Sequence, residues 1–113
     1  MKRLLAFSCL FTLSCWAYAT DVEGIISGRF DAAAQNASVT VICGDFKKTE
    51  YTNMAGNYYI PGVPDNSSCS VTIEWQNLRS KPQEIKTKSG TINFTRRVEP
   101  YEGHLHILDS SIN

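Results

Sequence analysis

The chain has 113 residues, equal numbers of acidic and basic side chains, a formal net charge of zero and 42% hydrophobic residues. That length admits one domain of modest core size. The charge balance gives no electrostatic footing for nucleic acid, so nucleic acid is not expected as a partner.

The first element is a leader. Lys2 and Arg3 form a basic start, Leu4–Trp16 an apolar run, and Ala17-Tyr18-Ala19 a small-residue cleavage site. This is the pattern of a secretory signal, too short and too weakly flanked for a spanning helix. Cleavage after Ala19 is expected, leaving Thr20–Asn113 as one mildly acidic exported domain in a periplasm or outside the cell. No later stretch is apolar enough to cross a bilayer. A lipid anchor on Cys15 competes with this reading. However, Thr12 stands where a lipobox normally carries Leu, so membrane anchoring is not expected.

Turn residues cut the remaining chain into short runs. Residues 22–30, VEGIISGRF, alternate and end near Gly28. Residues 31–36, DAAAQN, are too short for a helix with a buried face and connect to ASVTVIC at 37–43. There Ala37, Val39, Val41 and Cys43 share one face of a half-buried strand. The more polar FKKTEYT at 46–52 reads as an edge strand. In NYYIPGV at 57–63, Tyr58 and Ile60 face one way and Tyr59 the other, and Pro61 and Pro64 place the run at a sheet edge.

CSVTIEW at 69–75 is the clearest strand, with Cys69, Val71, Ile73 and Trp75 on one face. A loop is expected over 76–82, a polar strand over 83–89, and a strand over 91–98 with Ile92 and Phe94 on one face. Pro100 is expected to break that run, and HLHIL at 104–108 to close the domain. Seven or eight short strands without useful helical periodicity predict an all-β antiparallel sandwich, prealbumin- or Ig-like.

Cys43 and Cys69 are the two cysteines outside the leader. In an exported small domain two cysteines allow one intramolecular pairing, and both sit on core-facing positions. Closing a loop of this length stabilises by about 3.5 kcal/mol in the chain-entropy treatment. That pairing removes both as nucleophiles, and no CxxC redox site is present.

The runs ASVTV (37–41) and TNMAGNYYIPGVPDNSSCSVTI (52–73) resemble the carboxypeptidase regulatory-like domain of the transthyretin-like, or prealbumin-like, sandwich group. Gly24 and Ile26 fit its first strand and Ala37, Val39 and Val41 its second. Thr52, Gly56, Tyr58 and Ile60 fit its Thr-x-x-x-Gly-x-Tyr-x-Ile element, and Val71 and Ile73 the strand after it. The resemblance implies the sandwich and no particular activity. Cys69 stands where the family usually has an aromatic residue. The related hydroxyisourate hydrolases end in Tyr-Arg-Gly-Ser, which this chain lacks, so that activity is not implied.

Candidate sites follow from exposure and spacing. His104 and His106 share one face of a strand, a metal-ligand spacing for which Glu102 or Asp109 would supply a third group. The alternative is a solvent-facing strand that carries two histidines. Tyr51, Tyr59, Trp75 and Tyr101 are candidates for a sugar-stacking platform, with Tyr59 and Tyr101 expected to be the exposed pair. Arg96, Arg97, Lys86 and Lys88 would make a basic strip. No nucleophile elbow, HExxH or phosphate loop is present. The expectation is therefore a non-enzymatic binding or structural module without a cofactor, whose partner is a protein or a glycan. A small metal-binding protein using His104 and His106 is the alternative, and a transthyretin-like hydrolase ranks behind it.

Overall fold

The computed structural model describes residues 19–110; the expected leader as far as Tyr18, with its Cys15, lies outside the described residues. Ten strands form two five-stranded sheets packed face to face. The first sheet contains β1 (Ala19–Ser27), β4 (Asn57–Pro64), β8 (Gly90–Asn93), β9 (Arg96–Tyr101) and β10 (His104–Ser110) in the order β10-β9-β1-β4. The second contains β2 (Ser38–Cys43), β3 (Phe46–Tyr51), β5 (Ser68–Trp75), β6 (Leu78–Arg79) and β7 (Gln83–Lys86) in the order β3-β2-β5-β6. In each sheet one path is interrupted. β8 and β9 follow one another along β1, and β6 and β7 follow one another along β5. The interruptions reduce the ten segments to eight strand paths, within the number expected from the turn spacing.

One pairing departs from an antiparallel sandwich: β8 and β9 run parallel to β1. Between them the chain turns Phe94 into the core, where it is 1% exposed. The ladder is kept across the gap by two bonds. The Phe94 amide donates to the Glu23 carbonyl at 2.8 Å, and the Ile25 amide donates to the Thr95 hydroxyl at 3.1 Å. Gly24 lies beside this crossing because a side chain cannot: a Cβ there would stand 2.3 Å from the Phe94 carbonyl oxygen. The Tyr58 hydroxyl donates to that same carbonyl.

The core runs between the sheets and follows the alternation of the strands. Val22 and Ile26 of β1, Ile60 and Val63 of β4, and Val98 of β9 meet Val39, Val41, Val71 and Ile73 of the second sheet. Tyr58 is buried and Tyr59 exposed, as the alternation of the run predicts. β4 and β3 both lie at sheet edges. Cys43 and Cys69 form a disulfide, both sulfurs buried, and the bond joins β2 to β5 within one sheet.

The resemblance motif has mechanical roles. The Thr52 hydroxyl donates to the Ala34 carbonyl at 2.5 Å and accepts from the Ala37 amide at 2.8 Å, clasping the β1–β2 connector. Gly56 has φ +84°, and a Cβ there would stand 2.4 Å from the Ile26 carbonyl oxygen. At the other end of the sandwich Thr87 does similar work, accepting from the Ser67 amide and donating to the Pro64 carbonyl.

Three expected boundaries move. Residues 76–82 are not one loop: Gln76 and Asn77, with φ +54° and +65°, make a two-residue hairpin turn into β6. That turn type favours Asn-Gly or Asp-Gly, so Gln-Asn gives little warning of it. The run 91–98 divides between β8 and β9, because turning Phe94 inward interrupts the strand. Pro100 does not break β9; it pairs with Leu105 of β10. There β9 has passed the end of β1, and a strand edge tolerates a residue without an N–H.

Candidate ligand face

The four tyrosine and histidine candidates sit on the outer face of the first sheet, at opposite ends of it. Tyr59 pairs with Glu23, whose other neighbour is Asn93. Tyr101 lies eight residues further along that path, about 25 Å away at strand rise. The two tyrosines therefore do not make one platform. The Tyr59 hydroxyl donates to the Asp21 carboxylate at 3.0 Å, and this bond is the main reason its phenol titrates above the usual value. Tyr101 meets the His106 ring edge-on at 5.2 Å between centroids.

His104 and His106 are both exposed on β10, with Leu105 buried between them, as the alternation requires. No group of three His, Cys, Asp or Glu side chains converges among the described residues. Glu99, the cross-strand partner of His106, is held by Arg29 at 2.6 Å. Beside the pair a groove of about 560 Å³ separates β10 from Lys81 and Pro82 of the β6–β7 connection and Gln83 at the start of β7. Its walls combine Leu105 and Ile107 with Lys81, Glu102 and the two histidines.

The basic strip does not form. Arg96 turns to the inner side, its guanidinium 4.1 Å over the Phe94 ring and bonded to Gln83. Arg97, the next residue, points outward to Asp31 at 3.5 Å. Lys86 belongs to the second sheet.

The outer face of the second sheet is different. Register aligns Thr49, Thr40 and Thr72 in a row across β3, β2 and β5. Thr40 and Thr49 share a hydrogen bond of 2.8 Å. The next row, toward the hairpin end, is Tyr51, Ser38, Glu74 and Arg79. Glu74 and Arg79 form an exposed ion pair at 3.3 Å. In the opposite direction come Lys47, Ile42 and Ser70.

These rows line a shallow depression of about 280 Å³. It continues toward the hairpin end into one of about 360 Å³ lined by Asn36, Trp75, Gln76 and Asn77, and the two share Ser38, Tyr51 and Glu74. Tyr51 is 65% exposed, more than Tyr59 at 51% or Tyr101 at 58%. Among the described residues no side-chain hydrogen bond engages its hydroxyl. Trp75 is half buried, its ring beside Gly28 and its Nε1 donating to the Gln35 carbonyl at 3.1 Å. The alternation of FKKTEYT carries the signal for this face. Tyr51 is in phase with Lys47 and Thr49, and so with the polar side of an edge strand.

No known protein-family model matches the chain, and no curated protein matches it. Solved structures do. The chain is similar to the Bacillus anthracis TIE protein, at 13% identity and a TM-score of 0.57 over 73% of this chain. It spans 16% of that protein's length. It is also similar to a putative carbohydrate binding protein from Bacteroides uniformis ATCC 8492, at 20% identity and a TM-score of 0.49, covering 67% of this chain and 39% of that one. A third is the dioxygenase domain of a dioxygenase carbohydrate-binding protein fusion from the cellulolytic bacterium Streptomyces sp. SirexAA-E, at 12% identity and a TM-score of 0.48, covering 85% of this chain and 79% of that one. At 13% identity the likeness to the first speaks for the fold alone.

Proposed function

We propose that this chain is an exported, non-enzymatic binding module of the carboxypeptidase regulatory-like kind, which takes its ligand on the outer face of β3-β2-β5-β6. The observation that carries the reading is Tyr51. It is an exposed aromatic ring whose hydroxyl has no side-chain hydrogen bond among the described residues, and it stands over a depression lined by several hydroxyl groups. The motif shared with the regulatory-like domains supports the module reading in another way. Thr52, Gly56 and Tyr58 hold the fold together, the part a structural motif plays. The disulfide fits an oxidising compartment and therefore export.

The test is a ¹⁵N-labelled sample of the oxidised protein titrated with cello-, xylo- and chito-oligosaccharides, a heparin fragment and an extended peptide. The expected result is amide shifts clustered at 36–51 and 72–79 with at least one probe. Shifts confined to the β9–β10 hairpin, no shifts with any probe, or turnover of a probe would overturn the reading.

A further inference from the structure

We infer that the ligand of this face is a neutral polysaccharide chain, laid along β2 with one sugar ring stacked on Tyr51. The inference rests on the binding-module reading and names the ligand class of the same face. Three observations carry it.

The first is the pairing of surfaces. A pyranose ring has an apolar C–H face and a rim of hydroxyls. The depression answers both, with the Tyr51 ring beside Thr40, Thr49 and Thr72. Each threonine hydroxyl both donates and accepts, so a row of them matches sugar hydroxyls in either sense. At the hairpin end Asn36, Gln76 and Asn77 add amides, which also offer both senses.

The second is charge. Glu74 and Arg79 neutralise one another across the row at 3.3 Å, leaving Lys47 as the remaining charge on the floor. A surface built for an anionic polymer would carry several uncompensated cations, because its affinity comes from neutralising them. The planar Glu74 and Arg79 groups stay available as paired acceptor and donor for vicinal hydroxyls.

The third is shape. From Ser38 to Ile42 the floor follows β2 for five residues, about 16 Å at strand rise, and Asn36 extends it past the start of the strand. That length suits several consecutive sugar rings and exceeds what one monosaccharide would use. The depression is open and shallow, as a face that binds along a chain must be. Protein partners of ordinary affinity bury about 800 Å² on each side. Tyr51 and Ile42 are the large apolar side chains on this floor, and the rest of its lining is hydroxyl or charged, a small apolar centre for such an interface.

The test is affinity electrophoresis through gels containing β-glucan, xylan or soluble chitin, run with wild type, Tyr51→Ala, Tyr51→Phe and Tyr51→Trp at two salt concentrations. Retardation by at least one neutral polysaccharide is expected. Tyr51→Ala should weaken it at least tenfold, Tyr51→Phe less than threefold, and Tyr51→Trp should hold or strengthen it. Raising salt from 50 to 500 mM should leave it within twofold. Each protein is checked by thermal melt, so lost binding is not mistaken for lost fold. Retardation indifferent to Tyr51, or none with any neutral polysaccharide, overturns the inference, as does binding that collapses with salt. The two readings fail separately. If the heparin fragment or the peptide shifts residues 36–51 and 72–79 while neutral glycans do not, the module stands and its glycan falls. If no probe shifts that face, both fall.

Discussion

The outer faces of the two sheets carry similar residues and put them to different use. On the first, prominent side chains are engaged with one another: Tyr59 with Asp21, Tyr101 with His106, Arg29 with Glu99, Arg97 with Asp31. On the second, Tyr51 has no such partner among the described residues and stands over a depression. Exposure alone would rank the three tyrosines as near equals. What separates them is what each ring meets: the Tyr59 hydroxyl bonds Asp21, the Tyr101 ring packs edge-on against His106, and the Tyr51 ring stands beside open space. A phenol has one proton to donate, and Tyr59 already gives its own to Asp21.

The largest break in that contrast comes from Gly24, on which the first sheet depends. Gly24→Val should destabilise by about 3 kcal/mol or more, since its side chain meets the Phe94 carbonyl where β8 becomes β9. Thermal melts should show loss of the whole sandwich, and both faces with it. Replacing Cys43 and Cys69 together by Ser should cost about 3.5 kcal/mol, in the range for a closed loop of this length. Here the faces should part company. Hydrogen exchange should loosen β2 and β5 ahead of β1 and β9, because the bond lies within the second sheet.

Thr52→Val should cost about 2 kcal/mol by removing two buried hydrogen bonds. It should also weaken ligand binding, because the clasped connector carries Asn36 and Thr52 directly follows Tyr51. The smallest effect at neutral pH belongs to Tyr58. Burial pushes its phenol well above the usual value of 10.0. The folded state thus keeps a proton that the unfolded chain gives up above about pH 10. The stability that this contributes is complete below that pH and is lost as pH rises beyond it. Denaturant midpoints should be flat up to pH 9 and fall from pH 10 upward, less steeply in Tyr58→Phe. Absorbance at 295 nm should show Tyr58 ionising only as the fold opens.

Much of this was legible in the chain. Period-two alternation placed Val39, Val41, Val71 and Ile73 inward, separated Tyr58 from Tyr59, and set both cysteines on the core side. Pro61 and Pro64 marked an edge because they lack a donor. Three things were not legible. The parallel β1 pairing depends on a strand from the far end of the chain, and no local pattern announces that. The β8–β9 interruption depends on Gly24 and Phe94, which are remote in sequence and meet in space. The proposed ligand face depends on register: Thr40, Thr49 and Thr72 form a row only once β3-β2-β5 are aligned. Tyr51 stood outside the pair expected to be exposed, although it alternates in phase with Lys47 and Thr49. What the alternation lacked was any sign that Tyr59 and Tyr101 would find partners of their own.

The central claim is that one face binds and the other does not. Its most direct test compares Tyr51→Ala with Tyr59→Ala in the same calorimetric titration, using the polysaccharide that best retards the wild type. The account predicts at least a tenfold loss of affinity for Tyr51→Ala and an unchanged value for Tyr59→Ala, with both proteins fully folded. Loss at Tyr59 with Tyr51→Ala unaffected would place the ligand on the first sheet and contradict it.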